Sequence, residues 1–522
     1  MIGIVASLAA GQITTRVSVD SGGIEGDSWS YSYSSLSADG RFVAFASVAD
    51  NLVAGDTNGV ADVFVHDRAT GRTERVSVSS SVGQSLWSAG EANEKSFYPT
   101  ISADGRHVVF TSDASNLVLA DTNGFPDTFV HDRWSASTTR VSVDSNGKEG
   151  NGWSNYGSAI SGDGRYVAFT SGSTNLVSGD FNRSDDVFVH DRWTGKTTRS
   201  SVDSSDVEGN GHSFVSAISL DGRFVAFSSR ADNLVGDDTN RVWDVFVHDC
   251  ESGETSRVSL TSSGKQRYED CLGASISTDA RYVSFLSGAA FVQDDQNFLV
   301  DVYLRDRLAG ITTRVSVDEL GSDANGSSFG FSMSADASLI AFYSVASDLV
   351  SDDSNGTLDV FVRHLAMGRT VRVSVDSDGR EGNDLSHFPA ISADGRHVSF
   401  TSGASNLVKG DTNSAWDVFV HSELSLFTDT SIASEGERVT LTAYRGVAGH
   451  AASLWITKVG GAPLFIPVSL GAFGADGLFT VSGQAPPGLH AQLTLQCLAF
   501  DRDLEVAATN EVVVTLAPLD QR

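Results

Sequence analysis

The chain has 522 residues, enough for two or more domains, and its 40% apolar and 20% charged content is that of a folded, soluble protein. Its 66 acidic residues against 36 basic ones leave a net charge of -30. That balance argues against nucleic acid as a partner, disfavours an anionic membrane surface, and permits cation binding.

The N-terminus, Ile2 to Ala10, is apolar and ends in small residues, with no Lys or Arg before it. It reads as the remnant of an export signal over residues 1–12, and the expected location is secreted or periplasmic. No apolar run is long enough to span a bilayer. A strand-like run follows, Thr14-Thr15-Arg16-Val17-Ser18-Val19.

From there one unit recurs seven times. Its first anchor is Ser/Thr-x-Asp-Gly-Arg-aromatic-Val-x-Phe, with Asp at 39, 104, 163, 221, 279, 336 and 394. The steps of 65, 59, 58, 58, 57 and 58 residues mark a repeat array with an insertion around Trp87 to Ser96. In the first unit four strands are predicted: Ser35–Ser37, Arg41–Ser47, Asp62–His66 and Thr73–Val78. Asp39-Gly40 makes the turn between the first two. The second and third strands are apolar on both faces, as in sheets stacked on neighbouring sheets. The fourth alternates, which suits an outer edge, and the first carries small residues, which suit convergence on an axis. These features describe a blade of a seven-bladed β-propeller.

After the seventh third strand, Asp417 to His421, no fourth strand follows. The missing strand is the N-terminal Thr14–Val19, which is expected to complete the last blade and remove two open sheet edges. The third strand begins at the last Asp of a second phrase, Asp-x-Asn-x-x-x-Asp. This phrase stands at Asp56/Asn58/Asp62, Asp121/Asn123/Asp127, Asp180/Asn182/Asp186 and Asp238/Asn240/Asp244, and again at Asp295/Asn297/Asp301, Asp353/Asn355/Asp359 and Asp411/Asn413/Asp417.

Ser-Ala-Asp-Gly-Arg-Phe-Val-Ala-Phe followed by Asp-Val-Phe-Val-His-Asp resembles the TolB-like, WD-repeat-like propeller repeat, and Phe125-Pro126-Asp127 carries that family's Pro-Asp pair. The resemblance runs from Thr14 to about His421 and implies the fold. For function it implies little, because the family includes scaffolds, transport partners and appendages of enzymes.

The propeller is thus expected over 14–422. Beyond it, strand-like runs at Arg438–Ala443, Ser453–Thr457, Leu464–Val468, Leu478–Val481, Gln492–Ala499 and Glu511–Leu516 suggest an immunoglobulin-like β-sandwich over 423–522. The odd number of cysteines, Cys250, Cys271 and Cys497, gives no disulfide framework, and Cys250 and Cys271 fall at opposite ends of their strands.

The seven acidic phrases allow two readings. Hard cations take six to eight oxygens, so calcium is a possible ligand of the seven Asp/Asn/Asp sets. Calcium hairpins of integrin-type propellers are similar but hold an extra Asp and Gly that are absent here. Alternatively, the Asp and Asn side chains shape the loop through Asx-turns. In the first anchor, Arg41 is expected beside His66 and Asp67, a repeated surface pair of small energetic weight. Non-repeated polar residues on the same rim, His212 and His387, and the aromatics Trp29, Tyr31, Tyr33, Trp87, Trp153 and Tyr156 are the remaining site candidates. No sialidase box and no nucleophile elbow is present. The leading expectation is therefore a monomeric, non-enzymatic scaffold that offers its acidic rim to a protein or glycan partner. The alternative is a carbohydrate-active enzyme, a lyase or glycosidase, using the aromatic rim of the early blades.

Overall fold

A computed structural model describes residues 11–80, 90–155 and 157–424, and elsewhere only the paths of the strands 4–7, 426–428, 438–444, 451–459, 462–472, 478–484, 492–499 and 511–516. Among the described residues all regular structure is β, and no helix is long and apolar enough to cross a membrane. The chain divides into two compact units, one of them Thr14–Asp376 with Arg380–His421.

That unit is a seven-bladed propeller built from seven four-stranded antiparallel sheets. Blade one consists of Ser30–Leu36, Phe42–Ser47, Asp62–Asp67 and Arg72–Arg75. Blades two to six follow over 96–140, 158–199, 213–257, 271–314 and 328–372. Blade seven takes Ser386–Ile391, His397–Ser402 and Asp417–Leu424, and its fourth strand is Gly11–Arg16 from the N-terminus. First strands of neighbouring blades touch all the way round, so the ring is closed around an axis they line.

The apolar second and third strands form the core. Their register places Phe45 opposite Phe64, and each blade repeats this stacked aromatic pair with ring centroids 5.6 to 5.9 Å apart. Burying two aromatic rings and four or five aliphatic side chains per blade supplies the driving force that each sheet alone lacks. The clusters run from one blade into the next: Ala44, Val63 and Val65 pack with Val108, Phe110 and Phe129.

The turn between the first two strands is fixed by its own side chains. Ser37 Oγ donates to Asp39 Oδ1 (2.7 Å) and accepts from Phe42 N (2.9 Å), while Asp39 Oδ1 accepts from Arg41 N (3.0 Å). Gly40 has φ +65°, and a Cβ there would lie 2.0 Å from the His397 ring of blade seven. Glycine therefore serves both the turn and the blade contact.

Ring closure uses the ordinary chemistry of a blade. Ser18 Oγ donates to Asp417 Oδ1 (2.5 Å) and accepts from Val418 N (3.0 Å), as Ser142 does with Asp127 and Thr128 inside blade two.

Two local expectations change. The first strand begins at Ser30, ahead of the run Ser35–Ser37, and the fourth ends at Arg75. Arg41 forms a two-pronged pair with Asp67 (2.8 Å each). His66 is instead buried, with its Nδ1 2.9 Å from Thr73 Oγ1. In blades five and six Arg305 and Arg363 take that histidine's place, each 3.0 Å from Thr312 and Thr370.

The other unit is Met1–Ile13, Ser377–Gly379 and Ser422–Arg522. Its strands form a five-stranded sheet and a three-stranded sheet. The apolar N-terminal run contributes Ile4–Ser7, paired with Glu511–Leu516. Cys250 and Cys271 are free, and Cys497 lies outside the residues whose side chains are described.

Candidate functional site

The first strand of blade one starts opposite the end of its second strand, Ser30 against Ser47. The aromatic rim residues and the Asp-x-Asn-x-x-x-Asp loops therefore share one face of the disc.

The loops bring all three fixed residues together, and with them two partners that the motif does not contain. In blade two, Arg140 of the fourth strand places Nη1 3.3 Å from Asp121, 3.1 Å from Asp127 and 2.9 Å from Glu149 of the next connection. Asn123 donates to Asp127 Oδ2 (2.9 Å) and to Gly150 O (3.1 Å), and its Oδ1 accepts from Phe125 N (2.8 Å) in an Asx-turn. The same arginine recurs as Arg16, Arg75, Arg199, Arg257, Arg314 and Arg372. Glu149 is matched by Glu25, Glu91, Glu208, Asp323 and Glu381, with Gln266 in blade four.

The asparagines are held otherwise than the calcium reading expects. Asn58, Asn182, Asn240, Asn355 and Asn413 each donate Nδ2 to the last Asp of their own phrase, at 2.7 to 3.1 Å. The same five, and Asn297 with them, also donate Nδ2 to a main-chain carbonyl of the next connection, at 2.8 to 3.1 Å. In all six, Oδ1 accepts from the backbone N–H two residues on, at 2.7 to 3.3 Å. A carbonyl only accepts, so the NH2 end of each amide must face it. A cation needs the amide oxygen, and that oxygen is turned away from the carboxylates and held in the Asx-turn. Asn58, Asn123, Asn182, Asn240, Asn297, Asn355 and Asn413 are thus loop-shaping donors. The carboxylates at the same positions meet arginine: Asp238 lies 3.2 Å and Asp244 3.6 Å from Arg257, and Asp295 lies 3.4 Å and Asp301 3.7 Å from Arg314.

Burial pushes Asp56, Asp121, Asp180, Asp353 and Asp411 up to about 6, with the neighbouring acids adding to it and the arginine opposing. For Glu149 burial acts against ionisation, but hydrogen bonds from Thr122 and the Arg140 charge together hold it below the usual range. In three blades the carboxylates converge closely enough to hold a metal ion: Glu25/Asp411/Asp417, Asp180/Asp186/Glu208 and Asp353/Asp359/Glu381. In each the cation they meet is the guanidinium, and Arg16 Nη1 lies 2.7, 3.4 and 3.1 Å from the first set. A second cation at that point would face a fixed positive charge at contact distance. In blades one to six the arginine was legible in principle, since it follows the last Asp by 13 residues.

The aromatic candidates resolve into a different feature. Most first strands carry a bulge near their start, at the mouth of the axial channel. In blades three, five and six a glycine there has positive φ: Gly157, Gly273 and Gly330. In blades seven, one and two, which are adjacent, the left-handed residue is aromatic: Phe388 (φ 50°), Tyr33 (φ 103°) and Tyr98 (φ 54°). Bulky side chains are rarely found in this conformation, and it costs about 1–3 kcal/mol per residue. The three rings form an arc, Phe388 to Tyr33 at 4.4 Å and Tyr33 to Tyr98 at 5.2 Å. Tyr343 (5.4 Å from Phe388), Phe97 (4.9 Å from Tyr98) and His387 (4.6 Å from Phe388) extend it. Tyr33 is 46% exposed and Tyr31 49%. Burial, and then a neighbouring tyrosine in each case, raises the Tyr33 and Tyr343 hydroxyls, so both stay neutral. Trp29 is exposed, Trp153 precedes the first strand of blade three, and Trp87 and Tyr156 lie outside the described residues.

The two histidines separate. His387 is buried, and its Nδ1 lies 3.1 Å from Thr401 O. That carbonyl can only accept, so Nδ1 carries the proton and Nε2 the lone pair. Burial lowers its pKa, keeping it neutral. His212 is half-exposed, and its Nδ1 lies 3.1 Å from Asp185 N. Asp270 and Ser327 cap the equivalent backbone N–H in the next two blades (3.0 and 3.3 Å), so His212 holds a repeated structural position.

No protein-family profile matches the chain, and no curated protein matches it. Among solved structures it is similar to an oligogalacturonate lyase in complex with manganese, at 11% identity and TM-score 0.47, covering 81% of this chain and 96% of that one. It is also similar to a prolyl endopeptidase, at 10% identity and TM-score 0.47, covering 81% and 55%. A structure assigned as TolB from Agrobacterium tumefaciens matches at 16% identity and TM-score 0.33, covering 54% and 79%. WD40-repeat propellers are among the further matches. The likeness is one of fold, and neither activity passes to this chain by it.

The expectation of a non-enzymatic scaffold with an acidic binding rim is corrected. Solved structures of similar fold include a lyase and a peptidase beside WD40-repeat propellers, so the fold by itself does not mark a non-enzyme. The fixed rim acids of a blade converge on an arginine of that blade, so they are drawn into an internal ion-pair cluster.

Proposed function

We propose that this chain is a carbohydrate-active enzyme that takes a neutral saccharide on the aromatic arc of blades seven, one and two. One observation carries the reading: Tyr33, Tyr98 and Phe388 hold a backbone conformation that other blades give to glycine. A strained position filled by the least suitable residue type, three times in neighbouring blades, needs a return beyond folding. Contiguous half-exposed rings with neutral hydroxyls suit the apolar face and hydroxyl edge of a sugar, and the absence of a basic patch beside them among the described residues favours an uncharged one.

The group placed to move a proton at this platform is His387, neutral and held in one tautomer by Thr401. The chemistry is cleavage of a glycosidic bond, and a secreted or periplasmic location fits a polysaccharide substrate. We read residues 423–522 as an immunoglobulin-like accessory module, a role that its strand content supports.

The test is a screen of neutral and acidic polysaccharides for release of reducing or unsaturated ends, run with the protein as it stands and with His387→Ala. Turnover on a neutral glycan that Tyr33→Ala weakens through KM and His387→Ala through kcat is the expected result. Binding and turnover absent on every glycan, or turnover indifferent to Tyr33 and Tyr98, overturns the reading.

A further inference from the structure

The opposite face of the disc carries a second repeated cation in four of the seven blades. The residue after each His-Asp or Arg-Asp pair is Arg68, Arg133, Arg192 and Arg307 in blades one, two, three and five. Each folds back over the turn between the first two strands of its own blade and donates to the carbonyl of the turn's central residue. Arg68 reaches Gly40 O at 2.7 Å, Arg192 reaches Gly164 O at 2.5 Å, Arg307 reaches Ala280 O at 2.7 Å, and Arg133 reaches Gly105 O. Two of them also lie over an aromatic ring at the start of the second strand in the preceding blade. Arg133 Cζ stands 4.3 Å from the Phe42 ring centre, and Arg307 Cζ 5.8 Å from that of Phe224. The groove between two blades is thereby filled with a guanidinium held between a ring and a carbonyl. In blade six the residue is the apolar Leu365, which packs, as Tyr282 does, against the core cluster shared by blades five and six.

In blade four the residue is Cys250. Its thiol lies 3.9 Å from Ser200 Oγ and is too short to span the groove. What remains is a cleft of about 400 Å³ between blades three and four, lined by Tyr166, Gly222, Cys250, Asp191, Asp221 and Glu251 among others. The parts that hold the guanidinium elsewhere are still present. Gly222 packs against the Tyr166 ring, where an added Cβ would lie 2.2 Å from Cδ2, as Gly105 packs on Phe42. The wall holds three carboxylates against two cations, Lys196 and Arg223. Arg165 binds both oxygens of Asp191 (2.9 and 2.6 Å), which also accepts from Trp193 N (3.0 Å), while Arg223 meets Glu251 at 2.8 Å and leaves that carboxylate further acceptor sites.

We propose that this cleft is a binding site for a guanidinium-bearing ligand, either a free arginine-like molecule or an arginine side chain presented by a peptide. The ligand's guanidinium takes the position that the chain's own arginine holds in blades one, two, three and five. It donates to the Gly222 carbonyl and to the flanking carboxylates and lies on Tyr166, while Cys250 leaves room for the rest of the molecule. Planar, multiply donating guanidinium suits this geometry, and a point-charge ammonium does not reproduce it.

The experiment is calorimetric titration of the full chain with agmatine, with an arginine-containing tripeptide, and with butylamine. Agmatine or the tripeptide is expected to bind, and butylamine at least about tenfold more weakly. Binding of both guanidinium probes marks a free-ligand site, and binding of the tripeptide alone marks a peptide site. Cys250→Arg, which restores the repeat's own cation, is expected to abolish binding and raise the melting temperature. Cys250→Ser leaves binding within about twofold, and Glu251→Gln weakens it severalfold without filling the cleft. No binding of either guanidinium probe at millimolar concentration, equal binding of butylamine, or undiminished binding in Cys250→Arg with Glu251→Gln overturns the proposal.

Discussion

Replacing Arg199 by Met tests the claim that an internal guanidinium, rather than a metal ion, balances the rim acids. Arg199 Nη1 lies 3.8, 3.4 and 2.9 Å from Asp180, Asp186 and Glu208, and Nη2 donates to Gly179 O at 3.2 Å. The arginine side chain is 9% exposed and Asp186 is fully buried. Removing one partner of such a cluster typically costs about 3–5 kcal/mol, because the remaining charges stay buried. Methionine keeps most of the packing, and Asp180, already pushed up to about 6, can escape by taking a proton. At pH 7.5 that escape caps the contribution of Asp180 at about 2 kcal/mol, the free energy of protonating a group some 1.5 units above its pKa. The expected loss is therefore about 2–4 kcal/mol at pH 7.5. Over a propeller of about 400 residues this is a fall of about 2–5 °C in melting temperature. The loss shrinks at pH 5, below the value of about 6 at which Asp180 takes up its proton. Calcium at about ten times its dissociation constant returns about 1.4 kcal/mol to the variant, and neither calcium nor EDTA moves the parent protein. The assay is thermal unfolding at the two pH values with and without calcium. An unchanged melting temperature, an equal loss at pH 5 and 7.5, or a parent protein that calcium stabilises as much as the variant refutes the reasoning.

Stability of the parent protein is expected to peak on the acid side of neutrality. Asp56, Asp121, Asp180, Asp353 and Asp411 have folded pKa values of about 6, above the unfolded value of 3.8, so their contribution is lost as pH rises through 6. Asp132, Asp191 and Asp249, held low by Arg106, Arg165 and Arg223, set the opposite limb below about pH 4. A melting-temperature series with its maximum at pH 7 to 8 contradicts this assignment. Ser18→Ala removes the hydroxyl that joins Asp417 and Val418 across the ring closure and is expected to cost about 1–3 kcal/mol, matching Ser142→Ala within a blade. Urea midpoints for the two variants measure it, and a closing strand of no consequence would leave only Ser142→Ala destabilised. Tyr98→Gly relieves a left-handed φ worth about 1 kcal/mol while losing ring contacts of similar size, so stability stays level as saccharide affinity falls. Parallel melting and glycan-binding curves decide it, and a large loss of stability would make the ring a packing element.

The ring of seven blades was legible because one unit repeats in register and because the strand missing after His421 is found at Thr14. Its core was legible from strands apolar on both faces. The start of the first strand was not: Ser30 to Ser34 alternates serine with tyrosine and holds no aliphatic residue, and a bulge breaks its pairing with the second strand. The acidic phrase looked like a cation site because its cation comes from elsewhere in the blade. Arg140 stands on the fourth strand and Glu149 in the next connection, and only the fold joins them to Asp121 and Asp127. Which end of the Asn123 amide faces those acids was equally hidden, since it is set by the Gly150 carbonyl 27 residues on. The pairing of Arg41 with Asp67 was half visible, since strand register gives proximity but not which of two neighbouring side chains faces the guanidinium.

The repeat therefore separates what the blade needs from what the molecule does. Positions that hold one residue type in nearly all the blades make sheets, turns and internal ion pairs: the stacked aromatics, the rim arginine, the Ser-x-Asp turn. They supply stability and say nothing about a ligand, however polar they look. Information about function sits where one blade or one sector departs from the others without a structural return. The aromatic residues of blades seven, one and two accept strain that glycine avoids in blades three, five and six. Cys250 leaves open a groove that an arginine closes elsewhere. Both departures worsen the local fit by a measurable amount, and both leave an accessible surface of defined chemistry. Substitution back to the repeat's own residue, Tyr98→Gly on one face and Cys250→Arg on the other, should thus hold or raise stability while removing binding. A stabilising reversion that also leaves binding intact would show that the departures are drift.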